Sequence, residues 1–482
     1  MRKGWPPAAY GGMRALMGVN RRRGLDGGDP LRTKRWWRSP LVPLATAVSV
    51  VCATPGWTQV VSPVGKLVRP PWNALDVFES LPFGQNWELT EGDEIAPEDR
   101  LVKVRRHPGY ETVGIRAGSW MYYPSLTLGT LYDSNVFASN TDKKSDVALL
   151  VAPTLQARTL WERHEVDLQA SASSYFYRQN PGLNQVNASL TGRGRIDVLH
   201  DRAIVTRFEI ARRNVDVGTV TSPTGAVEPT PYNVFSGSVA YRQEFNRLTA
   251  SVGAGLSSYD FESTRAQNGT IINQDSRDGP IYAAHGRVDY AYSPKLGFFS
   301  AVEGNRRDLQ GLPTQSLASS GYRALAGITI PFSQLIVGEI GVGYASQRFD
   351  SSQIGTITGP AYRALLIWRP TRTIDVWLGA EQLVTEVSET SVQAVKANAV
   401  QVGVDYELLR NAVVSISGMY ENDKFFGQTR DDNVYTSRTE LKYRPNRFSS
   451  ISIHHKYILR DSSSPLFGYD KHEVGINVTA RF

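Results

Sequence analysis

The chain ends HEVGINVTARF (472–482), where Val474, Ile476, Val478, Ala480 and Phe482 share one parity and Glu473, Asn477, Thr479 and Arg481 the other. Strict alternation places an apolar and a polar set on opposite faces of a strand. The rhythm recurs from residue 120 onward in VDLQASASSYFY (166–177), AIVTRFEIARR (203–213), IYAAHGRVDYAY (281–292), YRALAGITI (322–330), AVQVGVDYELL (399–409) and SSISIHHKYIL (449–459). No helical period competes with it. Such strands must cover their apolar face with a second sheet or with hydrocarbon.

The connections separate these two outcomes. Tight turns are predicted near 161–164, 199–202, 245–247, 293–295, 331–334, 369–372, 409–412 and 444–447. Longer polar loops fall near 138–146, 178–184, 215–231, 262–279, 309–320, 349–359, 387–395, 424–433 and 461–468. Eight turns and nine loops join 18 strands, an even number with both chain ends on the short-turn side, as in bacterial outer-membrane barrels. A soluble sandwich has no reason to alternate short and long so regularly. The expected fold is all-β: a transmembrane antiparallel up-and-down β-barrel of about 18 strands, roughly 35 Å across the backbone.

Parity assigns the faces. On the fifth strand Ile204, Thr206, Phe208 and Ile210 would face lipid and Arg207, Glu209 and Arg213 the interior. On the sixteenth, Leu441 and Tyr443 face out, and Arg438, Glu440, Lys442 and Arg444 in. Tyr290, Tyr292, Tyr406, Tyr420, Tyr443 and Tyr457 lie near strand ends, where an aromatic girdle meets the membrane interfaces. Candidate pore-lining residues are Arg193, Arg195, Arg207, Arg213, Arg287, Arg323, Arg363, Arg438, Lys442, Asp375, Glu381, Asp405 and Glu407. Guanidinium groups recognise carboxylates and phosphates in bidentate fashion, so an arginine wall favours an anionic solute; the same charges could instead pair across strands and only keep the lumen wet. Strands 13–15 are acidic, whereas strands 4, 5 and 16–18 carry most of the basic side chains, which sets a transverse field across the pore. No outer loop exceeds about 18 residues, so loop length predicts no inward-folded constriction and a wide passage.

Ahead of the barrel, residues 1–60 place a basic stretch before the short apolar run LVPLATAVSVVCAT (41–54), the layout of a secretory signal. Residues 61–118 mix Pro, Gly and both charges, as a periplasmic tail or partly ordered plug would, and the barrel is expected over 119–482. The single cysteine, Cys52, lies inside the signal, so the mature chain has no thiol chemistry. Much of the net charge of +7 sits before residue 40, which argues against nucleic acid as a partner. No nucleophile motif, metal-ligand spacing, phosphate loop or dinucleotide fingerprint is present. The expectation is a non-enzyme without cofactor or metal; His285 and His454 point inward, but no sequence motif pairs them with a serine and a carboxylate.

The segment RRHPGYETVGIRAGSWMYYPSLTLGTLYDSNVFAS (105–139) resembles the entry into the first strand of the proteobacterial outer membrane beta-barrel protein family. The matching motifs are Pro108 to Tyr110, Gly114 to Arg116, Tyr123 to Leu126 and Tyr132 to Phe137. The resemblance runs from about residue 105 to the end, and Phe482 is similar to the terminal aromatic read by the barrel assembly machinery. It implies a Gram-negative outer-membrane location among lipid. It also implies a wide polar channel that exports an exopolysaccharide chain beside a periplasmic polysaccharide-export protein. A solute-uptake porin preferring small anions is the alternative.

Overall fold

The computed structural model describes residues 102–482 except 104, 106, 294, 312–315, 331–334, 353–354 and 386–393. The expected signal segment and most of the expected tail lie outside the described residues. Eighteen long strands form the barrel. They are β1 (Trp120–Asp133), β2 (Asp146–Thr159), β3 (Glu165–Tyr177), β4 (Gln185–Leu199), β5 (Arg202–Val215), β6 (Thr230–Phe245), β7 (Leu248–Phe261), β8 (Gly279–Ser293) and β9 (Leu296–Arg307). The series continues with β10 (Ser319–Ile330), β11 (Ile336–Phe349), β12 (Thr356–Thr371), β13 (Ile374–Thr385), β14 (Ala394–Leu409), β15 (Ala412–Phe426), β16 (Asp431–Asn446), β17 (Ser449–Ser462) and β18 (Tyr469–Arg481).

Each strand pairs antiparallel with the next, and β1 pairs with β18 from Ser125↔Arg481 to Asp133↔Glu473. Closure leaves no unpaired ladder, which hydrocarbon demands because each unsatisfied backbone group there costs several kcal/mol. No described helix is long and apolar enough to cross a membrane; the strands do the spanning.

The alternating parity becomes two surfaces. Outward side chains such as Ile210, Val252, Val302, Val402, Ile416 and Ile476 are exposed to what surrounds the barrel, while their strand neighbours turn inward. Aromatics rim this apolar belt. Toward the tight-turn end lie Trp161, Tyr290, Tyr292, Trp368, Tyr406, Tyr443, Phe448 and Phe482; toward the long-loop end lie Tyr132, Tyr282, Tyr322, Tyr344, Tyr420 and Tyr435. Tyr457 is half-buried, its ring centroid 4.6 Å from that of His472.

Two turns fall later than predicted, at 372–373 and 447–448. The motifs RPTR and RPNR put a proline in the last turns of β12 and β16, but Pro370 and Pro445 each sit where the register shifts and no ladder N–H is required. At the two-residue turn between β6 and β7, Asn246 takes φ 48°, a left-handed conformation asparagine tolerates.

Candidate functional site: the barrel interior

Alternation in β4, β5, β8, β10 and β12–β16 turns all thirteen charged candidates to the inside of the barrel. They divide into two groups there. Over β8–β14, Arg287 and Arg323 are consumed by buried ion pairs that reach past neighbouring strands. Arg287 Nη2 on β8 donates to Asp289 Oδ1 at 2.7 Å and to Glu339 Oε2 on β11 at 3.0 Å. Arg323 on β10 holds Glu303 Oε1 at 2.9 Å and Glu381 Oε1 on β13 at 3.2 Å. The Arg287 guanidinium also lies 4.1 Å from the Phe299 ring centroid, and that ring lies across Gly327 and Gly341, where any Cβ would collide with it. The glycines of β10 and β11 therefore let a large ring lie flat against the wall beneath the ion pairs.

The wall over β4 and β5 is different. Arg193 and Arg207 face each other directly in register. Arg193 Nε and Nη2 and Arg207 Nε are buried without a hydrogen-bond partner, and neither guanidinium has an ion pair among the described residues. Acidic groups stand nearby: Arg158 pairs with Asp167 at 3.2 Å, Arg195 with Asp197 at 2.8 Å, and Arg213 with Glu209. On β16, Arg438 Nη2 lies 2.7 Å from Glu440 Oε2. Arg363 and Lys442 have no ion pair among the described residues.

The prediction of no constriction loop is corrected by the connection between β5 and β6. Its first half folds into the barrel and meets the far wall: Arg460 Nη1 on β17 donates to the Gly218 carbonyl at 2.8 Å, and Val220 packs on Val395 and Phe425. Gly218 has φ 80°, and a Cβ there would collide with Ala138. The second half is tied to the next loop by Val227 N–H to Arg265 O at 3.0 Å and Thr264 Oγ1 to Glu228 O at 2.9 Å. Arg277, stacked 3.9 Å from the Phe261 centroid, donates to Thr221 O. Length was a poor guide because reach depends on direction. This loop leaves β5 beside an apolar cluster of Val215, Tyr232, Phe261, Ile281, Leu309 and Leu317 that turns it inward. Between loop and wall lies a cavity with about 970 Å³ of empty space, part of it open to solvent, lined by Asp216, Thr219, Glu421, Arg438, Lys456 and Lys471 among others. Burial among these groups raises the Asp216 carboxyl above its ordinary range.

At the tight-turn mouth, the described residues ahead of β1 dock on the acidic wall. Val102 N–H donates to Asp375 Oδ2 at 2.6 Å, Lys103 Nζ lies 2.8 Å from Asp405 Oδ1, and Arg105 Nη1 lies 2.7 Å from Glu407 Oε2. His107 Nε2 is 3.1 Å from Glu407 Oε1. The segment then passes β18, where Arg481 Nη2 meets the Tyr110 carbonyl at 3.4 Å, and enters β1 through a short strand, Ile115–Ala117, paired to Trp120–Tyr122. Lys103, Arg105 and His107 recur at every second residue, a signal legible in sequence but without a visible partner. His285 and His454 are buried against Gly253 and Gly475. No group of three or more His, Cys, Asp or Glu among the described residues is placed to hold a metal ion.

No curated protein matches the sequence significantly. Among solved structures, Pseudomonas aeruginosa OccK2 (OpdF) is similar at 11% identity, covering 78% of this chain and 99% of that one, with a TM-score of 0.43. OpdK of the same organism, solved with vanillate, is similar at 11% identity over 75% and 99%, with a TM-score of 0.40. A mutant of the P. aeruginosa ferric enterobactin receptor PfeA is similar at 9% identity over 76% and 81%, with a TM-score of 0.43. A family model described as "Putative beta-barrel porin 2" matches residues 107–482, from the docked histidine to the terminal phenylalanine. The closed 18-strand ladder, its apolar belt and that match together place the chain in this β-barrel porin family and in the outer membrane.

Proposed function

We propose that the barrel is a diffusion channel for small solutes with a preference for anions. The observation that carries this reading is the loop between β5 and β6, which crosses the lumen and is anchored on the opposite wall by the Arg460–Gly218 hydrogen bond. A chain-wide passage would have to run through the volume it occupies. The sign of the preference follows from Arg193 and Arg207, whose guanidiniums form no ion pair among the described residues, whereas Arg287 and Arg323 are neutralised in place. An unpaired guanidinium in a narrow, poorly screened lumen attracts carboxylates and phosphates.

Export of an exopolysaccharide, with a periplasmic export protein as partner, is the second reading, and it rests on the family resemblance of residues 105–139. It requires the loop to swing aside. Reconstitution in planar bilayers separates the two. The solute reading expects ohmic channels with an anion-biased reversal potential and a conductance that rises when residues 217–222 are deleted. A non-conducting barrel would overturn it, as would a deletion strain that loses surface polymer while small-anion uptake is unchanged.

A further inference from the structure

Three wall carboxylates at the tight-turn mouth, Asp375, Asp405 and Glu407, each engage a group from residues 102–107. The contact is made by alternate residues: the side chains of Lys103, Arg105 and His107 reach Asp405 and Glu407, while the Val102 N–H meets Asp375. Arg105 also donates to the carbonyl of Arg372 in the turn between β12 and β13. The contact is largely removed from water, with the side chains of Arg105 and Glu407 each 9% exposed. On the same rim, Lys442 and Arg444 near the end of β16 and Arg481 at the end of β18 also face inward.

We infer that this N-terminal strap sets the charge selectivity of the pore by covering its acidic wall, a conclusion that rests on the solute-channel reading above. With the strap docked, the mouth presents Lys442, Arg444 and Arg481, while Glu440 on the same wall is held by Arg438. With the strap withdrawn, the three carboxylates of β13 and β14 face the lumen, and two cationic side chains leave with the strap. A mouth of low-dielectric walls focuses such a change on the permeating ion. The strap lies outside the strand ladder, so removing its charges leaves every barrel hydrogen bond in place.

The experiment compares the wild type with the triple variant Lys103→Gln, Arg105→Gln, His107→Gln in planar bilayers under a KCl gradient, after heat-modifiable migration in SDS has shown that both are folded. The chloride-to-potassium permeability ratio should exceed one in the wild type and fall by about threefold or more in the variant. A variant beginning at Gly109 should behave the same way. Adding Asp375→Asn, Asp405→Asn and Glu407→Gln to the triple variant should restore the anion bias. Conducting channels with the same ratio in the wild type and both strap variants would overturn the inference while leaving the channel reading standing. A wild type that does not conduct removes both.

Discussion

The two halves of the inner wall use the same residue type for opposite ends. Over β8–β14, Arg287 and Arg323 are each locked between two carboxylates, one of them on a strand three positions away, and are 3% and 6% exposed. Over β4 and β5, Arg193 and Arg207 stand opposite one another with buried nitrogens unpartnered. Placing two guanidiniums side by side is unfavourable on its own, and the carboxylates of the neighbouring strand, Asp167 opposite Arg193 among them, offset it without closing an ion pair on either arginine. One half of the wall is built for rigidity, and the other carries an unsatisfied charge that a passing anion would relieve.

The comparison is broken most severely by Arg323→Ala, which leaves Glu303 and Glu381 buried without their cation. Loss of one partner of a buried pair costs about 3–5 kcal/mol, so the folded band in SDS should unfold at a clearly lower temperature than the wild type. Gly218→Val comes next. Its Cβ collides with Ala138 and its φ of 80° disfavours a β-branched residue, so the loop should leave the lumen and single-channel conductance should rise with little change in barrel melting. Replacing both Arg193 and Arg207 by Ala should move stability by no more than about 0.5 kcal/mol while lowering the anion-to-cation permeability ratio; a large loss of stability instead would show that these arginines are structural.

The smallest effect is expected at the outer rim. Arg212 Nη2 donates to Glu262 Oε2 at 2.9 Å and Arg306 Nη2 lies 2.8 Å from Asp350 Oδ2, and these hydrogen bonds hold both loop carboxyls below their ordinary values. A carboxyl depressed in the folded state stabilises it above the unfolded pKa, about 4, and that contribution is lost as the pH falls through the lower folded value. Both pairs are solvent-exposed, so amide protection in loops 262–278 and 350–352, taken relative to the intrinsic exchange rate at each pH, should be constant from neutral pH down to about 4 and fall only below it.

Much of this was legible without coordinates. Strand period, the count of 18, the alternation of short turns with long loops and the inward parity of residues such as Arg207 and Asp405 all follow from local pattern, because a pleat repeats every two residues whatever lies beside it. The acidic character of strands 13–15 was visible as well. The pairings were not. Arg323 and Glu381 are 58 positions apart, and Lys103 and Asp405 lie on a strap and a strand with the first thirteen barrel strands between them in sequence. The inward loop escaped notice because its length, the available cue, says nothing about its direction.

The sequence alone determined a closed antiparallel cylinder with a greasy outside and a charged inside, since each strand's alternation specifies its two faces and the connections specify the order. Only the tertiary structure decided which inner charges remain free. That outcome depends on curvature, which brings strands three apart within reach of one guanidinium, and on where an aperiodic loop and strap come to rest against walls formed by distant parts of the chain.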